Sequence, residues 1–411
     1  MHMKNERENT CTELLYEKDG MLAEFDAIVT ASEKYGENGM YRIIMDRTAF
    51  FPEGGGQPAD TGVIETDDKK TVNITDVRTE EGCVYHYADG FISPGTKVRG
   101  RIDAAKRFSR MQEHGAEHLI CGLIHRQFGY DNVGFHMSDE GVVFDVDGPL
   151  SETDIRAVEE HANRIIFENV PVTVSFPTAE EAKTIEYRSK LDTYENIRLV
   201  TIEGYDVCAC CAPHVNSTGQ IGSVIITSFM PHRGGTRMTL TAGMNAYADH
   251  LGLQISNGRI MELLSAKRED TAKAASDLAD RYRLLKEEND ELKKKVTGIV
   301  TRTVLDSLEK GELKKGKAQL IFTNDLDPIG LRELVNSCTK VYDGIVCAFL
   351  ESGRGYRYIF AVCPENAEEA GLQEFAAAFD RACSGKGGGS RLMVQGTTEA
   401  QRDAIEQYFC G

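Results

Sequence analysis

Two short clusters of histidine and cysteine constrain the fold of this chain more than any other feature. In HGAEH, His114 and His118 are four residues apart. On a helix, this spacing places both imidazoles on one face, one turn apart, as a chelating metal pair requires. In CACCAPHV, much later in the chain, Cys210 and His214 repeat the four-residue offset. A fold in which both clusters bind one metal has to bring these two distant segments together.

Three interpretations of the clusters compete. Cys208 and Cys211 match a CxxC redox motif, but the surrounding sequence lacks the βαβ setting of thioredoxin-like proteins. HGAEH also matches the inverted zinc-protease motif, in which Glu117 would be the general base, although this leaves CACCAPHV unexplained. The third is a catalytic zinc site, because this mixture of nitrogen and sulfur ligands favours Zn²⁺ over Mg²⁺. Its three or four ligands would come from His114, His118, Cys210 and His214.

The charge and the cysteine count narrow the class of protein. A net charge of −18 and a pI near 5.1 argue against broad electrostatic adhesion to nucleic acid or anionic membranes. Contact with nucleic acid would need local basic patches, such as KRFSR and PHRGGTR. Eleven cysteines in 411 residues, an odd number, do not indicate a disulfide framework. Because the N-terminus also lacks an apolar signal-peptide core, we expect a cytoplasmic protein with reduced thiols.

Hydrophobic periodicity predicts an α+β protein of four segments. Residues 1–103 contain short alternating strands and should close into a small β-barrel. Residues 104–248 form an α+β core, in which one helix carries HGAEH. Residues 249–316 form a helical linker, and residues 317–411 form a separate α/β domain.

The linker carries a heptad pattern, with a polar Asn289 at one a position. The pattern fits either a helical hairpin packed on its own chain or a dimeric coiled coil whose register Asn289 sets. The a positions are Ala275, Tyr282, Asn289 and Val296, and the d positions are Leu278, Leu285, Leu292 and Ile299.

The segment FFPEGGGQPADTG contains three consecutive glycines, which permit positive φ and close approach of a ligand to the backbone. Its spacing matches neither a Walker loop nor the dinucleotide-binding motif. A tight hairpin turn is the simpler interpretation, although Gln57 is an unusual residue for a mere turn. Thr48, in the preceding strand, could offer a hydroxyl to a pocket.

Together these motifs resemble the editing domain of alanyl-tRNA synthetases and of their free-standing relatives, the AlaX family. DRTAFFPEGGGQPADTG, HGAEHL and CCAPHVNSTGQIG follow the family's order over about residues 24 to 245. The remainder resembles the C-terminal part of long AlaX proteins, where a helical linker leads to a DHHA1-type domain with a segment like GKGGGSRLMVQG. The aminoacylation domain, with its ATP site, has no counterpart, so a complete synthetase is not expected.

The resemblance implies one zinc per chain, held by His114, His118, Cys210 and His214. It places Gln57 and the backbone of Gly54–Gly56, including Gly55 and Gly56, around the aminoacyl-adenosine end of tRNA. It makes Thr48 the group that recognises a seryl hydroxyl. The sequence departs from the family in having Gly115 and Glu117 where threonines are usual, and CCAPH in place of CGGTH.

The activity that the resemblance implies is hydrolysis of mischarged Ser-tRNA(Ala), with Gly-tRNA(Ala) as a second candidate substrate. An alanine pocket rejects serine or glycine weakly, so a second site that binds the hydroxyl restores discrimination. A non-catalytic tRNA-binding or assembly factor and a zinc peptidase are the alternatives. A homodimer through the coiled coil or the C-terminal domain is also expected. The residues predicted to contact tRNA are Lys106, Arg107, Arg110, Arg233, Arg237, Lys386 and Arg391.

Overall fold

A computed structural model describes residues 12–36, 39–138, 141–189, 194, 196–315 and 318–410. The chain divides into two compact units, Met1–Gly258 and Arg259–Gly411. The mixed α+β fold is confirmed, whereas the boundaries of the four segments stay a prediction.

Six strands of the first unit close into the predicted β-barrel, in the order β2-β3-β7-β6-β5-β8. Buried and exposed residues alternate along them, as in β2, where Phe25, Ala27 and Val29 are buried. Each strand therefore contributes one apolar face to the interior. The strands of this region are β1 (Glu13–Leu14), β2 (Glu24–Tyr35), β3 (Met40–Met45), β4 (Arg47–Thr48), β5 (Gly62–Thr66), β6 (Thr71–Glu80), β7 (Cys83–Ala88) and β8 (Lys97–Ile102).

A buried hydrogen-bond chain joins β3, β4 and β7. His86 Nδ1 lies 3.0 Å from the carbonyl oxygen of Ile43, and its Nε2 lies 2.9 Å from Thr48 Oγ1. The Thr48 hydroxyl also accepts a hydrogen bond from Phe50 N, at 3.1 Å. The imidazole is therefore neutral, donating from Nδ1 and accepting at Nε2. Burial lowers the pKa of His86 to about 4.

We predict that His86 makes the fold sensitive to acid. The unfolded chain protonates this residue near pH 6.5, whereas the folded chain resists protonation until about pH 4. Its contribution to the free energy of unfolding is complete above pH 6.5 and falls by about 3 kcal/mol as the pH drops to 4. In urea unfolding over this pH range, His86→Gln should lose less stability than the wild type. Parallel pH dependences for the two chains would contradict this prediction.

Helix α1 (Ala104–Phe128) leads from the barrel into the core and carries HGAEH. Asp103 caps its N-terminus by accepting a hydrogen bond from Lys106 N, and Gly129 follows its C-terminus with a φ of 74°. Every residue from Met111 to Ile124 is buried. Buried polar groups need partners, so we expect the polar residues within this stretch to bind a ligand or to form hydrogen bonds inside the protein. They are Gln112, Glu113, His114, Glu117 and His118.

Two antiparallel sheets and helix α2 pack against α1. The strand orders of the sheets are β14-β15-β10-β9 and β11-β12-β13. Helix α2 opens with a capping box formed by Ser151 and Asp154. The elements are β9 (Asn132–Ser138), β10 (Gly141–Val146), α2 (Glu152–Glu168), β11 (Val172–Ser175), α3 (Ala179–Ala182), β12 (Leu199–Ile202), β13 (Asp206–Ala209), β14 (Val224–His232), β15 (Gly235–Ala242) and α4 (Gly243–Leu264).

Arg107 and Arg110 attach α1 to the barrel, so we correct their assignment as tRNA contacts. The guanidinium of Arg107 forms a bidentate ion pair with the buried carboxylate of Asp60. It also donates to the carbonyl oxygens of Gly20, at 2.9 Å, and Ala49, at 2.7 Å. Arg110 donates to two carbonyl oxygens of the segment before β5. Both side chains are buried and committed to partners within the protein, which leaves them unsuited to contact a phosphate.

The second unit contains a six-stranded sheet, ordered β16-β17-β18-β19-β21-β20, with apolar clusters on both faces. Strand β18 shows why: Cys347 and Phe349 join one cluster, and Val346 and Ala348 join the other. The elements are α5 (Thr271–Glu309), β16 (Lys314–Lys315), β17 (Ala318–Thr323), α6 (Pro328–Cys338), β18 (Ile345–Ser352), β19 (Gly355–Ala361), α7 (Leu372–Ala382), β20 (Gly385–Gly389), β21 (Met393–Thr398) and α8 (Arg402–Cys410).

The heptad residues lie on α5. Val300 and Val304, near its C-terminal end, pack against the apolar cluster that includes α6. Earlier in the helix, Leu285 is 64% exposed, and Leu278 and Leu292 are also exposed. The packing that a hairpin would give these side chains is therefore not seen in the described residues. A homodimer through this seam stays a prediction, which the mass of the chain in solution would check.

Nine cysteines in the described part of the chain are free thiols, whereas Cys83 is disulfide-bonded. The expectation of reduced thiols therefore does not hold at Cys83. Among the described residues, none of the helices has the length and hydropathy needed to span a bilayer.

Candidate metal centre and cavity

The fold brings the two histidine and cysteine clusters to one point. His114 and His118 lie one turn apart on α1, whereas Cys210 and His214 lie on the loop after β13. One ligand atom from each of the four residues lies within 4.8 Å of the others. Cys210 Sγ is 3.7 Å from His114 Nε2 and 3.4 Å from His214 Nε2.

These separations fit a tetrahedral zinc ion. Zn–S bonds of about 2.3 Å and Zn–N bonds of about 2.0–2.1 Å would hold sulfur and nitrogen about 3.6 Å apart. The two observed distances lie on either side of that value. Three imidazoles and one thiol are also a donor set that suits zinc. The cluster is thus a candidate metal centre, and its three histidines are at most 4% exposed.

Gln57 fixes the tautomer of His114. Gln57 Oε1 lies 2.7 Å from His114 Nδ1. Because an amide oxygen only accepts, the proton of His114 resides on Nδ1, and Nε2, which faces Cys210, is left for a metal. Gln57 is fully buried, and its Nε2 has no hydrogen-bond partner within the described ranges. A buried donor without a partner is costly, so the position of Gln57 is explained by its contact with His114.

The glycine run makes the tight turn that positions Gln57. Gly54 and Gln57 exchange two backbone hydrogen bonds, of 3.1 and 3.0 Å. Gly55 and Gly56 take the two central positions with φ of 59° and 87°, a conformation that favours glycine. A Cβ on Gly56 would also come within 2.6 Å of the carbonyl oxygen of Phe135. The interpretation as a hairpin turn is therefore correct, and the turn also delivers Gln57 to the metal centre.

Arg198, which the sequence analysis did not single out, holds the loop that carries Cys210 and His214. Its Nη1 donates to the carbonyl oxygens of Cys210 and Ala212, both at 2.8 Å. Its Nε donates to the carbonyl oxygen of Glu17, at 3.3 Å. Burial raises the pKa of the Cys210 thiol, an effect that Arg198 partly offsets. The available sequence signal was an arginine directly before the apolar strand LVTI.

A cavity of about 1660 Å³ opens beside the ligands. Its wall includes Gly55, Glu117, His114, His118 and Cys210. Thr48 is not among the described residues that line it, because Thr48 is fully buried with its hydroxyl bonded to His86. The structure therefore brings Gln57, Gly55 and Gly56 to the metal centre, but it places Thr48 on β4, with its hydroxyl against His86 of the barrel strand β7.

Glu117 presents a carboxylate on the cavity wall, between the two histidines of α1 in sequence. Its Oε1 accepts hydrogen bonds from Asn132 Nδ2 and, at 3.1 Å, from Cys121 Sγ. The carboxylate is therefore held in place beside the candidate metal centre. The neighbouring thiols differ in access, since Cys208 is half-buried in β13 and Cys211 is exposed.

The other basic residues predicted to contact tRNA differ in availability. Lys106 is half-buried near the start of α1, and Arg233 is exposed at the turn between β14 and β15. Arg237 is engaged in a bidentate ion pair with a carboxylate on β10. In the second unit, Lys386 and Arg391 are exposed on β20 and in the turn after it.

Two family profiles match the chain. The profile described as tRNA synthetases class II (A) matches residues 2–106. The profile described as the threonyl and alanyl tRNA synthetase second additional domain matches residues 197–238. The first match covers the barrel, and the second covers Arg198 and the loop with Cys210 and His214.

The similar curated proteins are alanine–tRNA ligases. That of Ignicoccus hospitalis is 32% identical over 323 residues, which cover 74% of this chain and 33% of the relative. That of Methanobrevibacter smithii is 28% identical over 405 residues, covering 94% of this chain and 44% of the relative. The chain therefore spans less than half the length of these relatives.

Among solved structures, the C-Ala domain from Aquifex aeolicus alanyl-tRNA synthetase matches 24% of this chain and 96% of that domain. Its TM-score is 0.21, with 19% sequence identity. The profile matches and the relatives agree on one family. The chain is a homologue of the alanine–tRNA ligases and carries domains of the alanyl-tRNA synthetase family.

Proposed function

We propose that this protein is a trans-editing aminoacyl-tRNA deacylase that hydrolyses the ester of Ser-tRNA(Ala) and, secondarily, of Gly-tRNA(Ala). The observation that carries the proposal is the convergence of His114, His118, Cys210 and His214 beside a large cavity, which the first three of them line. Homology to the alanine–tRNA ligases supports tRNA(Ala) as the nucleic acid. The homology covers only part of those enzymes, so this activity is proposed for the chain and not transferred from them.

The residues of the chain have distinct tasks in this proposal. Bound zinc would supply Lewis-acid chemistry next to the ester. Gln57 holds the His114 imidazole by its Nδ1 and so fixes the orientation of the ring. The Gly55–Gly56 turn lets the aminoacyl-adenosine end approach the backbone. Arg198 keeps the loop of Cys210 in place by binding its carbonyl oxygens.

Recognition of the seryl hydroxyl has two candidate groups. The resemblance assigns this task to Thr48, whose hydroxyl is engaged with His86 and Phe50. Glu117 lies on the cavity wall itself and offers a carboxylate acceptor. In either case a site that hydrogen-bonds the hydroxyl discriminates against alanine, because alanine leaves that buried polar group unpaired.

The test is deacylation of Ser-tRNA(Ala), Gly-tRNA(Ala) and Ala-tRNA(Ala) by the wild type and by Cys210→Ala. We expect rapid loss of the seryl and glycyl esters, with the alanyl ester spared. Outer partners of metal ligands are typically worth 10–100-fold, so loss of a ligand should slow hydrolysis by more than about 100-fold. Cys208→Ala, which removes a neighbouring thiol, is the matched control and should retain activity.

Failure to deacylate any of the three substrates would overturn the proposal and favour the alternatives. A zinc peptidase would lose all activity in Glu117→Gln, whereas an editing site would keep its Cys210-dependent hydrolysis of the glycyl ester, which has no hydroxyl for Glu117 to bind. A non-catalytic tRNA-binding factor would bind tRNA(Ala) without hydrolysing any of the esters. Two observations speak against the peptidase: the other candidate ligands are Cys210 and His214, and Glu117 is tied to Asn132.

A further inference from the structure

The buried carboxylate of Asp206 contacts His118, the second histidine of the candidate metal centre. Asp206 Oδ2 lies 3.3 Å from His118 Nδ1, and both side chains are at most 4% exposed. No other polar atom of the described chain provides His118 Nδ1 with a hydrogen-bond partner. Arg188 in turn forms a bidentate ion pair with Asp206, in which Nε lies 2.7 Å from Oδ1 and Nη2 lies 2.9 Å from Oδ2. The result is a line of contacts from Arg188 through Asp206 to His118.

A glycine on α1 makes this approach sterically feasible. Gly122 lies one turn after His118, and a Cβ at this position would come within 2.7 Å of Asp206 Cβ and 3.0 Å of its Oδ1. Glycine in the middle of a helix is less favourable than alanine. The glycine at position 122 is therefore explained by the Asp206 side chain, which lies too close to the helix for a larger residue.

The same side chains could suggest a second metal site, since His118, Asp206 and Cys208 also lie close together. Arg188 argues against it. Its guanidinium already contacts both oxygens of the Asp206 carboxylate and neutralises its charge. A second cation would have to displace or tolerate this buried positive group. The cluster is better explained as support for the first centre.

We propose that Asp206, oriented by Arg188 and admitted by Gly122, is a positioning residue that accepts the Nδ1 proton of His118 and so presents Nε2 to the metal. A carboxylate behind a metal-bound histidine fixes the ring orientation and raises its basicity as a ligand. Gln57 likewise accepts the Nδ1 proton of His114. Both histidines of α1 are then held in one tautomer before the metal arrives.

The inference rests on the metal centre of the proposed function, but its test does not use deacylation. The zinc dissociation constant of the full chain is measured by competition with a chromophoric chelator. Asp206→Asn should raise it about 10–100-fold. Gly122→Ala should raise it at least about tenfold, although alanine is the better helix former. Glu203→Gln, which alters an exposed acid near β13, should leave it unchanged.

A second readout separates positioning from loss of fold. In the zinc-loaded protein labelled with ¹⁵N-histidine, His118 should be protonated at Nδ1 and metal-bound at Nε2. Metal bound at Nδ1, two zinc ions per chain, or unchanged zinc dissociation constants in both variants would each overturn the inference. If zinc affinity falls as expected but no ester is hydrolysed, the proposed function fails and this inference stands.

Discussion

Replacing Asp60 with alanine is expected to lower the free energy of unfolding by about 3–5 kcal/mol. The carboxylate is 1% exposed and forms the bidentate ion pair with Arg107. It also accepts a hydrogen bond from Phe51 N, at 2.6 Å. Its removal would leave a buried guanidinium without a counter-charge, which is the most expensive way to break such a pair. Urea unfolding of the full chain, followed by circular dichroism, measures the change.

Two further variants show that the burial of the charge is responsible. Asp26→Ala removes an exposed carboxylate of β2 and should change stability by no more than about 0.5 kcal/mol. The double variant Asp60→Leu with Arg107→Met removes both charges and should recover much of the loss. If Asp60→Ala unfolds like the wild type, the ion pair is not what fastens α1 to the barrel.

The second large effect concerns metal removal. A ligand that binds only the folded state stabilises it by mass action, by about 4 kcal/mol at a thousandfold excess over its dissociation constant. We expect zinc to raise the unfolding free energy of the wild type on this scale and a chelator to reverse the gain. His214→Ala should lose most of the response, because it removes one of the four candidate ligands that meet at this centre.

His125→Ala provides the matched control. His125 lies on the same helix and lines the same cavity, but it does not belong to the four-residue cluster. Its substitution should leave the zinc response intact, and elemental analysis should still find one zinc per chain. An equal response to zinc in His214→Ala and His125→Ala would show that the ion binds elsewhere.

Local pattern predicted much of this molecule. The alternation around Phe25 and the helical spacing of His114 and His118 each follow from neighbours within a few positions. The pairing of HGAEH with CACCAPHV also followed, because zinc chemistry requires a complete ligand set. Such features depend on backbone periodicity or on valence, and both can be found in a single sequence.

Contacts between distant segments were harder to predict. Arg107 belongs to a basic run that looked like surface, but an acidic residue far away in the chain draws it into the interior. Arg198 and Asp206 carry no motif, and their partners are backbone carbonyls or a histidine ring. Thr48 was placed near the substrate by resemblance, whereas a buried histidine engages its hydroxyl. For Arg198, the available sequence signal was its position directly before the apolar strand LVTI.

The segment before the first barrel strand limits where the chain can be truncated in a recombinant fragment. The carbonyl oxygens of Glu17 and Gly20 accept hydrogen bonds from Arg198 and Arg107, and Gly20 lies against the backbone of His214. A recombinant fragment that begins at β2 would retain all six strands of the barrel. The guanidiniums of Arg198 and Arg107 would nevertheless each lose one carbonyl acceptor. The loop that carries His214 would also lose its packing against Gly20. The minimal unit for dissecting the candidate metal centre therefore begins upstream of its first barrel strand.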